Sequence, residues 1–445
     1  MAAVRVPKEP LVAVMGTTGT GKSDLAIDLA LRYNGEIINA DAMQMYRGLP
    51  VITNQISTEE QRGIPHHLLA KIDPLEPTWT NGLFAREANK LIRDIRSRGK
   101  LPIVVGGTHY YIQSLLFVGN LVESSSKESD DTTYRLEEEN TTQFPILNTP
   151  TNVMLERLRQ VDPSMADRWH PDDRRKIRRS LEIYLTTGKR ASDIYAEQQQ
   201  AKDASAPKRG PWESLVFWVY TEPEVLKERL NKRVSKMGEA GLMDEARGLH
   251  NRLLQRADQG EAIERTRGIW QSIGYKQMEL FLEGEKRGES QQSLEKLKET
   301  GLEEMRSATR QYAKYQLRWI RHKSIPAFRE HDAMDLLYLL DSTDVQKFSH
   351  NVLEPAAEIC GRFLEGKELA KPAKLSTTAR EVLASFETSE TSSKPMFKVK
   401  LCEACNMSLP TEDQWIKHIN GRRHRRVLHK KNHTALVPIE TETPC

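Results

Sequence analysis

This chain of 445 residues has few cysteines, no long apolar runs and little net charge. Four cysteines are too few for a disulfide framework at this length, which indicates a reducing compartment. No stretch of about 18 apolar residues predicts a transmembrane helix. The start, MAAVRVPKEPLVAV, lacks the apolar segment and cleavage site of a secretory signal. We therefore expect a cytoplasmic protein without membrane association, and leave mitochondrial and nuclear pools open.

Net charge is also low, at +4 from 66 basic and 62 acidic residues. A balance this even produces no global field that would attract nucleic acid, so only local basic clusters can do so. The length corresponds to roughly three domains of about 150 residues each. An apolar content of 38% is compatible with one well-packed core that carries polar additions.

Short apolar runs alternate with helical patterns along the first part of the chain. LVAVM (11–15), GEIINAD (35–41) and KLPIVVGGTHYY (100–111) predict buried strands, and SLVFWVYT (214–221) predicts another after a long interruption. Buried strands that alternate with helices indicate a parallel α/β sheet. We predict five segments: the first part of the core at 1–120, a mainly helical insertion at 121–210, the second part of the core at 211–365, a flexible linker at 366–395 and a small module at 396–431.

A glycine-rich loop follows the first predicted strand. GTTGTGKS (16–23) fits the pattern G-x-x-x-x-G-K-[ST] between a strand and a helix. Its backbone N–H groups and the helix N-terminus can surround an anion, Lys22 adds a full charge, and the Ser23 hydroxyl can bind Mg²⁺. We predict that phosphate groups bind to Gly16, Thr17, Thr18, Gly19, Thr20, Gly21, Lys22 and Ser23.

The acid that normally accompanies such a loop in nucleotide hydrolases is missing from its expected place. The strand LPIVVGGT ends in Gly106, Gly107 and Thr108 instead of an Asp that would orient a metal ion. Asp41 ends a different strand, at the edge where open α/β sheets bind ligands. This arrangement favours a reaction in which the bound phosphates depart together as pyrophosphate.

Basic residues crowd the first two turns of a helix predicted in HPDDRRKIRRSLEIYLTTGK. Asp172 or Asp173 is a suitable N-cap. Cations in a first turn oppose the helix dipole at a cost of about 0.3–1 kcal/mol each, which a phosphate ligand would offset. The cluster is either an RNA contact or a solvated basic face. A later helix, TRQYAKYQLRWIRHK, interleaves cations with aromatic residues, and for it we expect a mixed role in core and binding.

The C-terminal module has the spacing of a zinc site. Cys402-x₂-Cys405-x₁₂-His418-x₅-His424 suits a tetrahedral structural Zn²⁺ and is similar to matrin-type C2H2 fingers, which have a ββα fold. His429 is a second candidate for the fourth ligand. From Lys394 to Lys431, ten Lys or Arg residues face three acids, which predicts phosphate contacts. A protein-binding finger remains the alternative.

Several ordered blocks between residues 11 and 325 resemble the tRNA dimethylallyltransferases, also called tRNA isopentenyltransferases. These blocks include GTTGTGKS, DAMQMY, GIPHHLL, GGTHYYIQSLL, GIWQSIGYKQ and TRQYAKYQLRWIR. The resemblance implies a P-loop NTPase-like sheet with a helical tRNA-binding insertion. It also implies a monomeric, Mg²⁺-dependent enzyme that moves the dimethylallyl group of dimethylallyl diphosphate to N6 of an adenosine beside the anticodon of tRNA, releasing pyrophosphate.

The resemblance also implies roles for individual residues. Asp41 is the candidate base for the adenine amine, a role worth about 10²–10⁴ in rate. Thr108 helps to position the reacting groups, and Lys22 stabilises the departing pyrophosphate. The target base must leave its stack to reach them. Implied tRNA contacts are Asp41, Ala42, Met43, Gln44, Arg175, Lys176, Ile177, Arg178 and Arg179.

Two positions depart from the family pattern. Ala42 stands where Ser is common, and Gln271 stands where bacterial members have an Arg. A pyrophosphate-binding arginine therefore cannot be assigned at position 271. Three other functions stay open at this point: a small-molecule kinase or ATPase, an adenylate isopentenyltransferase, and a non-catalytic RNA-binding protein.

Overall fold

The computed structural model describes residues 6–117, 144–204, 210–260, 265, 268–386 and, within 400–428, all but 403, 406, 410, 411, 422 and 423. The chain divides into two compact units. The first unit comprises residues 1–123 and 207–388, and the second comprises 124–206 and 389–445. No helix among the described residues is both long and apolar enough to span a bilayer.

The strands form where Val, Ile and Leu are concentrated, because such side chains suit a sheet buried on both faces. They are β1 (Pro10–Gly16), β2 (Gly35–Asn39), β3 (His66–His67), β4 (Leu101–Gly106), β5 (Glu213–Tyr220), β6 (Leu337–Asp341), β7 (Lys400–Cys402) and β8 (Met407–Leu409). The first six form one sheet in the order β3-β2-β4-β1-β5-β6, and all its neighbouring pairs are parallel. The predicted parallel α/β fold is confirmed.

Helices connect and cover these strands. They are α1 (Lys22–Arg32), α2 (Asn81–Ser97), α3 (His109–Leu116), α4 (Thr151–Val161), α5 (Pro163–Arg168), α6 (Arg174–Thr187), α7 (Ala191–Ala204), α8 (Pro223–Glu239), α9 (Leu242–Asp258), α10 (Tyr275–Lys286), α11 (Gln291–Trp319), α12 (Ile325–Glu330), α13 (Glu354–Leu364), α14 (Thr377–Ala384) and α15 (Glu412–Ile419). A π-helical turn, Ile320–Ser324, continues α11.

Alternation along β1 builds two cores, one on each face of the sheet. Val12 and Val14 belong to a cluster with residues of α1 and α13. Leu11, Ala13 and Met15 belong to the other cluster, with residues of α2, α8, α10 and α11. Since β4, β1 and β5 are neighbours, the loops after their carboxyl ends meet at one edge of the sheet.

The predicted linker differs from the structure over residues 366–386. Helix α14 lies in this segment, and Ala379, Leu383 and Phe386 are buried in the same cluster as Met15. The Thr378 hydroxyl also donates to an Asp341 carboxylate oxygen at 2.7 Å. The polar composition of this segment obscures three apolar side chains at helical spacing. Residues 377–386 are therefore part of the core and not of a linker. Residues 387–395 lie outside the described residues.

The second unit contains helices α4 to α7 and the module of β7, β8 and α15. The helices share an apolar core that includes Leu147, Leu158, Met165, Ile177 and Leu181. In the C-terminal module β7 and β8 pair antiparallel, as a ββα finger requires. Most of the acidic stretch 120–150 lies outside the described residues.

Gly106 offers a test of the sheet edge. A Cβ at this position would lie 2.1 Å from the backbone oxygen of Ala40, which cannot move aside as a side chain would. We expect Gly106→Ala to lower the free energy of unfolding by about 2–3 kcal/mol. Urea unfolding followed by tryptophan fluorescence measures this change.

Gly82→Ala is the control. Gly82 lies in α2, and among the described residues nothing comes within 4 Å of a Cβ added there. Removing a helical glycine should therefore leave stability unchanged or raise it by up to about 1 kcal/mol. Equal unfolding curves for Gly106→Ala and the parent would contradict the close approach of Gly106, at the end of β4, to the backbone of Ala40 after β2.

Candidate functional site

The loop between β1 and α1 is closed by its own hydrogen bonds. The Thr20 hydroxyl donates to the Thr17 carbonyl at 3.0 Å, and the Lys22 ammonium donates to the same carbonyl at 2.6 Å. Gly19 and Gly21 have φ values of +90° and +85°, a region that favours glycine. Together with Gly16, these residues give the loop the glycine conformations that the predicted anion cradle needs.

Lys22 is a half-buried cation. Burial lowers the pKa of its ammonium to about 8, the charge of Asp41 opposes that change, and the charge of Arg233 adds to it. Removing a cation from water is unfavourable unless an anion compensates it. A negatively charged ligand in the loop would therefore stabilise the charged form of Lys22.

Arg233 is a second cation at the loop, and no sequence pattern indicates it. It lies in α8, and its Nη1 donates to the Thr18 hydroxyl at 2.6 Å across 215 positions of sequence. Burial lowers the pKa of its guanidinium. Arg233 therefore adds a second positive charge beside the phosphate loop.

Gln316 connects the cradle to the next loop of the sheet. Its side chain is 2% exposed; Oε1 accepts from the Thr18 backbone N–H at 2.8 Å, and Nε2 donates to the Gly107 carbonyl at 3.1 Å. A Cβ at Gly107 would lie 2.3 Å from Nε2 and 3.4 Å from Asp41 Oδ2. The Asp41 carboxylate therefore lies beside this bridge and faces the cradle.

The backbone at Asp41 is held by Asn39. Asn39 Oδ1 accepts from the Asp41 N–H at 3.1 Å, and its Nδ2 donates to the carbonyls of Asp41 and Leu68. Asp41 Oδ1 accepts from the Met43 N–H at 3.0 Å. Burial raises the pKa of the Asp41 carboxyl, although the backbone of Met43 and the charge of Lys22 act against it. A raised pKa makes this carboxylate a better proton acceptor.

Thr108 positions the segment after Asp41. Its Oγ1 accepts from the Ala42 N–H at 3.0 Å, across 66 positions of sequence. Ala42 is itself buried, so neither its methyl group nor its N–H is available to RNA, which corrects the predicted contact. Met43 is half-buried, and the half-buried Gln44 donates through Nε2 to the Asn54 carbonyl at 2.9 Å.

A carboxylate that the sequence did not indicate supports the same loop. Glu245, in α9, accepts from the N–H groups of Val51 and Ile52, both at 2.8 Å. In the sequence, Glu245 is one acid among many charged residues of its helix. Its contact with the backbone of Val51 and Ile52 is therefore visible only in the folded chain.

Tyrosine side chains of α11 reach the same region. Burial raises the pKa of the Tyr312 hydroxyl, and the charge of Asp41 adds to this effect. Tyr315 is exposed, whereas Trp319 contacts Tyr110. The aromatic residues of this helix are thus divided between buried and exposed positions, and its part in binding stays a prediction.

The basic helix α6 begins at Asp173, whose side chain accepts from the Lys176 N–H. Ile177 is 0% exposed and packs in the apolar core of the second unit, so its side chain cannot form the predicted tRNA contact. Arg178 is half-buried. The exposed cations among those predicted are Arg175, Lys176 and Arg179.

The C-terminal module brings together the four predicted zinc ligands. The ligand atoms of Cys402, Cys405, His418 and His424 all lie within 4.8 Å of one another. His424 Nδ1 is 3.5 Å from each sulfur and 3.1 Å from His418 Nε2. Tetrahedral Zn²⁺ places sulfur and nitrogen ligands roughly 3.5 Å apart, so this set fits zinc. His429 lies outside the described residues.

Comparisons with known proteins find matches for the α/β core with its helical insertion and for the C-terminal module. The family described as IPP transferase matches residues 44–323. The human tRNA dimethylallyltransferase is 36% identical over 441 residues, covering 97% of this chain and 88% of that protein. The chain belongs to the IPP transferase family. The Schizosaccharomyces pombe tRNA dimethylallyltransferase is 35% identical to this member, covering 96% of both chains.

A solved structure agrees with this membership. A eukaryotic dimethylallyltransferase, captured in crystallographic snapshots while acting on tRNA, superposes on this family member with a TM-score of 0.76. The two chains share 32% identity over 96% of this chain and 98% of the other. A zinc finger of C2H2 type matches residues 400–424, so this IPP transferase carries a finger at its C-terminus.

Removal of one sulfur ligand tests the zinc centre. We expect Cys402→Ser to abolish zinc retention, because a module this small depends on its metal for folding. Zinc per chain after dialysis measures the effect. Cys360→Ala is the control, since Cys360 is buried in the first unit and should leave the zinc content unchanged. Full retention by Cys402→Ser would contradict the assigned ligand set.

Proposed function

We propose that this protein transfers a dimethylallyl group from dimethylallyl diphosphate to N6 of an adenosine beside the anticodon of tRNA. The observation that supports the proposal is that the Asp41 carboxylate lies beside Gly107, which Gln316 joins to the phosphate loop. An anion cradle and a proton acceptor that face one another suit a reaction between a diphosphate ester and an amine. Similarity to the eukaryotic enzyme acting on tRNA supports the same substrate class here.

The chemical step forms one bond and breaks another. The adenine N6 attacks the first carbon of the prenyl group, while the bond from that carbon to the diphosphate oxygen breaks. Asp41 accepts the proton that N6 loses. Lys22 and Arg233 then stabilise the negative charge that develops on the departing pyrophosphate, as preorganised cations do in a site shielded from water.

The residues of the loop also fit Mg²⁺. Ser23 is exposed at the first turn of α1, and its hydroxyl is an oxygen donor of the kind that Mg²⁺ prefers, to be completed by diphosphate oxygens and water. When bound, the ion neutralises part of the charge on the leaving group.

The exposed cations of α6 provide a surface for the acceptor RNA. Arg175, Lys176 and Arg179 project from the first half of this helix, where phosphate groups would offset their repulsion from the helix dipole. Lys176 Nζ also lies 5.0 Å from the centre of the Trp169 ring. Binding through such contacts should weaken as salt concentration rises.

Asp41→Asn tests the assigned base. Transfer of label from dimethylallyl diphosphate to tRNA should fall about 10²–10⁴-fold, because the amide cannot accept the proton. Binding of tRNA, measured separately, should remain close to that of the parent. Asp94→Asn, on the exposed surface of α2, is the control and should retain full activity. Parent-like transfer by Asp41→Asn, or phosphate release from ATP without RNA, would exclude the proposed reaction.

Arg233→Gln tests the second cation. Loss of a charged hydrogen bond should weaken binding of the prenyl donor by about 10–100-fold. Steady-state kinetics with varied donor and saturating tRNA measure this as a higher KM for the donor. Lys232→Gln removes an exposed charge from the same helix and should behave like the parent. An unchanged donor KM in Arg233→Gln would remove Arg233 from the site.

A further inference from the structure

His109 is a buried side chain at the edge of the site that the mechanism above does not use. It is the first residue of α3, directly after Thr108, and it is 3% exposed. Within the described part of the chain, neither of its ring nitrogens has a hydrogen-bond partner. A polar group buried without a partner is unfavourable, so a partner from outside the chain would stabilise it.

The ring is neutral at physiological pH. Burial, and secondly the charge of Lys22, lower the pKa of His109 to about 3. A neutral imidazole has one N–H donor and one nitrogen acceptor in either tautomer. Such a ring is a poor base, which separates it from the proton-accepting role of Asp41.

Two features place His109 at the phosphate side of the site. It follows Gly107 and Thr108 at the carboxyl end of β4. The Gly107 carbonyl is joined through the Gln316 side chain to the Thr18 N–H of the phosphate loop. The first turn of α3 lacks a side-chain cap, because the Thr108 hydroxyl accepts from Ala42 instead. Uncapped N–H groups and the helix dipole favour an anion there.

We propose that His109 is a donor-binding residue whose imidazole N–H donates a hydrogen bond to a diphosphate oxygen of the prenyl donor, beside Lys22. This inference rests on the proposed function, because it takes the diphosphate to be the anion of the cradle. A neutral donor adds a hydrogen bond without placing a third cation beside Lys22 and Arg233.

Inorganic pyrophosphate is the probe for this role. We expect His109→Leu to weaken pyrophosphate binding, measured as inhibition against the prenyl donor, by about 10–100-fold. His109→Gln retains an N–H donor and should recover most of that loss. The affinity for tRNA, measured by filter binding, should not change in either variant. Leu and Gln variants that both bind pyrophosphate like the parent would overturn the inference.

A measurement on the unaltered protein keeps the test independent of variant folding. In ¹⁵N-histidine NMR of the full chain, pyrophosphate should shift the ring resonance that is absent from His109→Gln. His250, which is buried and has the Tyr275 hydroxyl as a partner at 3.3 Å, is the internal reference and should not shift. An unmoved His109 resonance at saturating pyrophosphate overturns the inference. A parent protein that binds no pyrophosphate contradicts the proposed function itself.

Discussion

The amide of Gln316 is the contact on which the site depends. It holds the phosphate loop and the turn after β4 at a fixed separation, with one end on each. The Gln316 side chain is buried and its bond to Gly107 is shielded from water, so breaking either bond would leave a buried amide group unsatisfied. Because Asp41 lies beside this bridge, the distance between anion cradle and carboxylate is set by the protein before any substrate arrives. Preorganisation of this kind reduces the cost of bringing two reactants together.

Burial shapes the electrostatics of the same region. It lowers the pKa of Lys22 to about 8 and raises the pKa of Asp41, so each group is pushed towards its neutral form. The proposed diphosphate would reverse this for Lys22, because a further negative charge beside the ammonium favours its protonated form. The His109 imidazole and the first N–H groups of α3 also lack acceptors among the described residues: the ring has no hydrogen-bond partner there, and the helix has no side-chain cap. An anion in the site would therefore supply a partner to several donors that lack one.

Sequence patterns located the elements whose signals are local. The phosphate loop, the strands beginning at Pro10 and Leu101, and the spacing of Cys402 and Cys405 each occupy a few consecutive residues with a distinctive composition. Polar neighbours obscure the helical pattern of α14, so the predicted linker includes Ala379 and Leu383 of this helix and Phe386 after it, all of which are buried. Ile177 stands among basic residues in the sequence, but its apolar side chain packs in the core of the second unit.

The sequence by itself determined the parallel sheet, the anion loop and the zinc ligands, because glycine conformations, apolar runs and ligand spacing act over short distances along the chain. Only the tertiary structure decided which distant groups complete the site. Arg233 and Gln316 reach the loop across 215 and 298 positions, and nothing in their own neighbourhoods distinguishes them from other helical residues. Their roles exist because the parallel strands bring their carboxyl ends to one edge, where helices from later in the chain can place charge and hydrogen bonds against the loop.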